Sequence, residues 1–250
     1  MRHIILIPTY NNSLTVCDIV RRALSVCKDV MVVNDGSTDD TLDRLLALKH
    51  DIDFELVSHR HNRGKGGALK AGFRRARELN YTHVLTLDAD GQHFPEDAPL
   101  LLTAGQSDPE AIIVGCRTFG DENMPGSNVF ANKFSNFWFT VQTLRCIPDT
   151  QSGFRLYPLD HIGGLRILTS RYEAELELLV FSAWRSTKIL SVPVRVYYPP
   201  AGERVSHFHP TKDFLRITVL NTILCLLAIV YGAPRMLLDS LKTLFKSTSS

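Results

Sequence analysis

The chain is expected to be an α/β protein built on a mostly parallel sheet flanked by helices. Three observations point there. Apolar runs rich in Ile, Val and Leu occur at 3–7, 30–33, 52–57, 83–87 and 111–114. Segments with apolar residues near helical spacing, 14–26, 41–48 and 65–79, lie between them. Polar stretches bearing Gly, Asn or Asp follow the ends of several runs, where such a sheet opens its ligand crevice. Unbroken apolar runs mark strands covered on both faces, and strand–helix repetition marks parallel pairing.

Taken in order, the run 3–7 is cut off by Pro8, and Asn11 or Asn12 can cap the helix over 14–26. The run 30–33 leads into Asn34-Asp35-Gly36, a turn, after which Ser37, Thr38 or Asp39 can cap the helix over 41–48. The strand over 52–57 feeds Arg60-His61-Asn62-Arg63-Gly64-Lys65-Gly66-Gly67-Ala68, which opens the helix over 65–79. The strand over 83–87 ends abruptly in Asp88-Ala89-Asp90-Gly91-Gln92-His93. Beyond the strand at 111–114 the pattern loosens. Residues 128–144 form an aromatic-rich helical stripe with Phe130, Phe134, Phe137 and Trp138, expected to be core; 172–184 is a further helix and 188–196 a strand. The stretch 199–210 is irregular, and a long apolar segment covers 214–231.

Bulk properties exclude several classes. A hydrophobic content of 44% with 22% charge describes a folded chain, not a disordered one. A net charge of +2 and the lack of a long basic run argue against nucleic acid as a partner. Cys17, Cys27, Cys116, Cys146 and Cys225 are odd in number and form no Cys-x-x-Cys pair, so a reduced compartment is expected. The apolar run before Pro8 is far too short for a signal peptide, so the catalytic part is expected to face the cytoplasm.

The chemistry concentrates in the loops after the strands. Asp88 and Asp90 at the end of a buried strand are costly unless a cation or protein donors compensate them, and a hard divalent ion holding phosphate is the natural solution. Pro8 and Tyr10 can lie against a nucleobase, the aromatic ring stacking on it. Asp35 can accept hydrogen bonds from a ribose or base edge. Arg63 and Lys65, with glycines at a helix start, suit an anion, although Gly66-Gly67 serves close helix packing equally well. His207 and His209 alternate in the stretch before the apolar segment and could reach a metal, or simply lie on the surface.

The motifs Pro8-Thr9-Tyr10-Asn11, Asn34-Asp35-Gly36-Ser37-Thr38-Asp39, Asn62-Arg63-Gly64-Lys65-Gly66 and Asp88-Ala89-Asp90-Gly91-Gln92-His93, in this order, resemble family 2 glycosyltransferases with the GT-A fold. Similarity is greatest to the dolichyl/polyprenyl-phosphate mannose or glucose synthase branch. It continues through Gly115-Cys116-Arg117, Asp149-Thr150-Gln151-Ser152-Gly153-Phe154-Arg155 and Tyr172-Glu173-Ala174-Glu175, and ends near Pro193-Val194-Arg195 and Arg204-Val205-Ser206. The resemblance implies a GT-A, Rossmann-like catalytic domain over 1–210, a nucleotide-diphosphate sugar as donor, and Mg²⁺ or Mn²⁺ as cofactor. By it, Asp35 binds the nucleoside, Asp88 and Asp90 serve the ribose, metal and diphosphate, and Gln92 lies close to the metal. Arg117 and Arg204 are expected at phosphates, since a guanidinium can pair two oxygens at once. Transfer is expected to invert the anomeric centre. A lipid phosphate acceptor is already ionised and hardly needs a base; a sugar hydroxyl does, and Asp149, then Glu175, are the candidates.

The apolar segment over 211–236 is expected to be a helix, followed by a loose tail over 237–250. Its cleanest stretch, 223–231, is too short to span a bilayer, which needs roughly 20 apolar residues. Members of the branch often carry transmembrane helices after the catalytic domain, and this chain has at most this one. An interfacial helix on the cytoplasmic leaflet, a homo-oligomer or core contact, and a true span are the three uses open to it; Lys212, Arg216 and Arg235 suit an anionic surface. The expected function is thus sugar transfer to a lipid-linked acceptor at a membrane surface. A soluble or polysaccharide hydroxyl acceptor, with a cytoplasmic protein, is the alternative within the class. A nucleotidyltransferase fits less well because the first strand lacks a Gly-rich basic loop for a triphosphate. A non-catalytic membrane-peripheral subunit would not need Asp88, Asp90 and Asp149.

Overall fold

The computed structural model describes residues 1–117, 126–163, 169–198 and 210–247. Seven strands form one sheet: β1 (His3–Thr9), β2 (Val30–Asn34), β3 (Glu55–Ser58), β4 (His83–Thr86), β5 (Ile112–Arg117), β6 (Arg155–Pro158) and β7 (Ile189–Val194). The helices between them are α1 (Val16–Val26), α2 (Thr41–Asp51), α3 (Lys65–Glu78), α4 (Ala98–Ser107), α5 (Gly126–Thr143), α6 (Leu159–Ile162) and α7 (Glu173–Trp184). After β7 come α8 (Pro210–Leu227), a π-helical turn (Ala228–Gly232) and α9 (Ala233–Ser247), in one unbroken helical run.

Strand order is β3-β2-β1-β4-β6-β5-β7. All neighbours are parallel except β6, which runs antiparallel to both β4 and β5. The chain winds outward from β1 to β3 and then returns to lay β4 on β1's other side. This reversal makes the carboxyl ends of β1 and β4 a topological switch point, where a crevice opens. Inside, Ile4, Leu6, Met31 and Val33 face one core with α3 and α7; Ile5, Ile7, Val30 and Val32 face a second with α1 and α4. Both faces of the central strands are covered, which explains the unbroken apolar runs.

Several elements differ from expectation. β1 continues through Thr9, so Pro8 is buried inside the strand opposite Val33 and not in the loop. α2 persists to Asp51, so β3 starts only at Glu55. Asn11 and Asn12 do not cap α1: Asn11 takes a left-handed conformation (φ 53°), and the Asn12 side chain accepts from Thr9 Oγ1 and the Tyr10 N–H. β6 and α4 were not anticipated; β6 is short, begins with an arginine and ends with a proline. The tail expected to be loose continues as α9 to Ser247. The helical run is also longer than its sequence suggested: Arg216–Asp239 is by length and composition sufficient to cross a membrane.

The aromatic stripe on α5 is two-faced rather than core. Asn132, Ser135, Phe139, Gln142 and Thr143 are buried, whereas Phe130, Phe137, Val141 and Leu144 face outward.

Candidate active site

The acidic loop after β4 is fastened on several sides. Leu87 N–H donates to Leu6 O at 2.9 Å, extending the β1 pairing to the brink of Asp88. Thr15 Oγ1 donates to Ala89 O, between the two aspartates, at 2.5 Å. Gln92 N–H donates to Asp90 Oδ1 at 2.9 Å across the turn at Gly91 (φ 78°). From the exit of β7, Tyr197 N–H donates to Gln92 O at 2.8 Å, and His93 bridges Val196. The loop therefore starts from a preset geometry.

Asp88 is paired with a lysine. Lys65 Nζ lies 2.7 Å from Asp88 Oδ1, 2.9 Å from Asp88 Oδ2 and 2.7 Å from Glu175 Oε2. Burial alone would raise the Asp88 carboxyl and lower the Lys65 ammonium. Their mutual attraction, with Glu175 adding to the lysine's side, overrides this and holds both in the charged form. Gly153 makes the approach possible, since a Cβ there would stand 2.3 Å from Asp88 Oδ2 and 2.8 Å from Lys65 Nζ. Asp90 behaves oppositely. Its side chain reaches solvent, but the protein packed about the loop, and secondly the Asp88 charge, push its carboxyl up to about 6. A cation beside it would reverse that push.

Asp149 is completely buried and saturated with donors. Arg117 grips it through Nε at 2.6 Å and Nη2 at 2.8 Å, Asn132 Nδ2 approaches to 2.5 Å, and the Gln151 and Ser152 N–H groups lie at 3.0 and 3.1 Å. Burial opposes ionisation, but these donors, led by Arg117, hold the carboxyl below its ordinary range. Such a group is a poor proton acceptor and a good anchor. Arg155, also fully buried, bonds Thr150 O (2.8 Å), Glu175 O (2.8 Å) and Tyr157 Oη (3.1 Å), tying the 149–154 loop to the start of α7. Glu175 itself is buried on the inner face of α7 rather than on a solvent face, and Lys65 holds one of its oxygens.

On the far side of the crevice, Asp35 is buried and engaged: His59 Nδ1 lies 2.7 Å from Oδ1, and Arg63 N–H donates to Oδ1 at 3.0 Å and Oδ2 at 3.1 Å. Arg63 thus contributes its backbone here, while its residue is exposed to solvent. Tyr10 is half-buried on the loop beyond β1. Asn11 N–H donates to Ser37 Oγ (3.0 Å) and Thr38 N–H to Asn11 Oδ1 (2.8 Å), stitching the first two loops together.

At the start of α3 the structure shows the second of the two uses expected for the glycines, close packing. Gly67 N–H donates to Ser170 O at 3.1 Å, and a Cβ on Gly64 or Gly66 would collide with Ser170 O at 2.4 Å or Ala174 Cβ at 2.5 Å. These glycines serve close packing of α3 against the start of α7. The structure therefore gathers Lys65, Asp88, Asp90, Gln92 and Glu175 at one end of the crevice, with Asp149 and Arg117 beyond Gly153 and Asp35 and Tyr10 across from them. Arg204, His207 and His209 lie outside the described residues. Sequence reasoning missed Thr15, His59 and Arg155 as supports of the site; only the quoted run ending in Gly153-Phe154-Arg155 hinted at the last.

A parallel sheet with a switch-point crevice and a paired-carboxylate loop is the architecture of a GT-A sugar transferase. Residues 4–157 match the model of the family described as "Glycosyl transferase family 2". The chain is 26% identical over 213 residues, 78% of its length and 85% of the relative's, to the UDP-N-acetylglucosamine–dolichyl-phosphate N-acetylglucosaminyltransferase of Methanococcus voltae. It is 28% identical to the undecaprenyl-phosphate mannosyltransferase of Micrococcus luteus over 81% of this chain and 86% of that one. To the polyprenol monophosphomannose synthase of Mycolicibacterium smegmatis it is 34% identical, over 62% and 61% respectively. Among solved structures, glucosyl-3-phosphoglycerate synthase from Mycobacterium tuberculosis in complex with Mn²⁺, UDP and phosphoglyceric acid superposes with a TM-score of 0.67 at 16% identity, covering 91% of this chain and 78% of that one. This protein belongs to glycosyl transferase family 2 and is a glycosyltransferase.

Proposed function

We propose that the protein transfers a sugar from a nucleotide-diphosphate sugar to a membrane lipid-linked phosphate, with inversion. The observation that carries this reading is the state of the two candidate bases. Asp149 is spent on Arg117 and Asn132, and Glu175 shares Lys65 with Asp88. A hydroxyl acceptor would need one of them as a proton acceptor; an ionised phosphate oxygen needs neither. The relatives whose names specify dolichyl or undecaprenyl phosphate point the same way.

Asp88, Asp90 and Gln92 supply oxygen donors only, the set a hard divalent cation takes. Among the described residues no group of three or more His, Cys, Asp or Glu side chains is placed to hold a metal alone. Donor phosphates and water would complete the shell, and the raised Asp90 carboxyl fits a place built for added positive charge. Bound there, Mg²⁺ or Mn²⁺ would neutralise charge growing on the departing diphosphate. In this reading Asp35 and Tyr10 hold the nucleoside, with Pro8 beneath them as part of β1. Lys65 sets the position and charge of Asp88, and Asp149 aims Arg117 at the phosphates. The acceptor oxygen attacks the anomeric carbon from the face opposite the leaving diphosphate; the new C–O bond forms as the old one breaks.

We also infer that the helical run after β7 lies on the membrane surface at its cytoplasmic face. Leu220 and Leu224 are buried against the domain, Asn221 Oδ1 accepts from Gln142 Nε2 at 3.0 Å, and Gly232 packs on Trp184, where a Cβ would fall within 2.5 Å. Further along, Ser186 Oγ lies 3.3 Å from Asp239 Oδ2. From Leu220 to Asp239 the helix runs about 28 Å, close to the roughly 30 Å of a bilayer core. Spanning would require peeling it off the domain over that whole length. The free cysteines suit the reducing cytoplasm.

The test is nucleoside diphosphate release with a panel of donors, a polyprenyl phosphate or a sugar hydroxyl as acceptor, with and without chelator, the product anomer being read by NMR. Release that depends on the lipid phosphate, with an inverted anomer, is expected. Efficient transfer to the hydroxyl acceptor alone would overturn the reading.

A further inference from the structure

We propose that the outer face of α5 is a second membrane-contact surface that seats the active site directly on an anionic leaflet. It rests on the lipid-acceptor reading above. α5 is the wall of the site: Asn132 bonds Asp149 at 2.5 Å, and Ser135 Oγ accepts from Thr150 Oγ1 at 2.6 Å. Its opposite face is apolar and uncovered, with Phe130 68%, Phe137 58% and Val141 47% exposed, and Leu144 just past its end is 81% exposed. Positions 130, 133, 137 and 141 recur at helical spacing, so they form one stripe along α5. Nothing in a water-facing helix calls for two aromatic rings on that stripe, with Trp138 packed edge-on against Phe137 at 5.4 Å.

This stripe adjoins a second. α5 packs against α8 and the π-turn, and the Gln142–Asn221 bond lies in that seam. Beyond it Ile223, Leu226, Ile229 and Val230 are exposed, followed by Leu237 and Leu238 on α9. Together the two helical elements offer a broad apolar surface with aromatic residues, the composition of a membrane–water interface.

Charge selects the occupant. Across residues 126–143 and 210–247 there are six Lys or Arg and two Asp. Lys133 sits within the α5 stripe, and Arg216, Arg235 and Lys242 are exposed along the other. A two-fold contact with a second copy would set these cations against each other. Anionic headgroups neutralise them while acyl chains take up the rings. The arrangement would place the site wall within a helix diameter of the leaflet that holds the acceptor.

The 250-residue chain carries its own reporter. It has two tryptophans: Trp138 on α5, and Trp184, which is fully buried. With vesicles of phosphatidylcholine and phosphatidylglycerol carrying brominated acyl chains, tryptophan emission should be quenched, and Trp138→Phe should remove the quenchable part. Phe130→Ser, Phe137→Ser and Leu144→Ser combined, leaving α8 and α9 intact, should weaken vesicle binding about tenfold or more, equivalent to ~1.4 kcal/mol. Transfer to a short-chain, water-soluble polyprenyl phosphate should be unchanged. The proposal is overturned if bromolipids leave Trp138 unquenched, if the triple variant floats with vesicles as wild type does, or if sedimentation shows a dimer that the same substitutions split. Wild type that ignores the short-chain acceptor would instead refute the lipid-acceptor reading, since quenching is measured without any reaction.

Discussion

Replacing Asp149 by Asn separates a structural anchor from a catalytic base. The carboxylate is fully buried, and Arg117, whose side chain is only 12% exposed, grips it at 2.6 and 2.8 Å. Asparagine keeps one oxygen for Asn132 and the Gln151 and Ser152 N–H groups, but turns an NH₂ toward the guanidinium. A buried cation then loses its counter-charge and faces a donor, a change that costs about 3–5 kcal/mol. For a chain of this size each kcal/mol moves Tm by roughly 2–4 °C, so a fall of roughly 6–20 °C is expected in a thermal melt. Below the new Tm, transfer to a lipid phosphate should be slower, because Arg117 is no longer aimed, while its pH dependence keeps the wild-type form. A Tm lowered by less than about 3 °C, roughly 1 kcal/mol, together with loss of the acid limb from the pH–rate profile, would refute the anchor and restore Asp149 as the base.

Three further outcomes follow from the same geometry. Gly153→Ala places a methyl 2.3 Å from Asp88 Oδ2 and 2.8 Å from Lys65 Nζ, both flexible side-chain ends. Stability should therefore shift by no more than about 1 kcal/mol, while donor binding, followed by titration calorimetry, weakens severely; unchanged affinity would contradict the placement. Asp90→Ala should abolish transfer with the melting temperature preserved or raised, since it relieves repulsion from Asp88, and a chelator should stop the wild type; undiminished turnover in either case would end the metal assignment. Glu96 lies beyond the acidic loop, and its hydrogen bonds to Arg22, both at 2.8 Å, pull its carboxyl down to about 2. A depressed carboxyl stabilises the fold above its unfolded pKa and loses that contribution as pH falls through the folded one. Because both side chains are substantially exposed, Glu96→Gln should cost at most about 1 kcal/mol at pH 7. Urea denaturation should show the deficit shrinking as pH drops from 4 towards 2; a deficit that stays constant would remove the pair as its cause.

Much of the fold was legible because β1, β2, β4 and β5 are buried on both faces. That condition prints as unbroken Ile, Val and Leu runs, which is why these four could be located from the chain alone, whereas β3, a partly buried edge strand, begins three residues later than expected. β6 could not, since its four residues include Arg155 and Pro158 and its place between β4 and β5 comes from pairing partners remote in sequence. The two carboxylates of the acidic loop were equally plain, because charge at the end of an apolar run needs an explanation. Their partner was not: Lys65 lies in a stretch that reads as an anion site until α7 is seen to cover it. The exposed side of α5 was misread as core because a stripe of Phe and Trp has the same periodicity whether it faces protein or lipid.

The sequence by itself determined the class of this protein, the central buried strands and the acidic pair, because those depend on local pattern and on residue types that are costly anywhere else. Only the tertiary structure decided that Asp149 is an anchor, that Lys65 answers to Asp88 and Glu175, and that α5 turns its aromatic face outward. Each of these is a matter of which distant segment comes within bonding distance, and the sign of a charge's role inverts with the neighbour it meets.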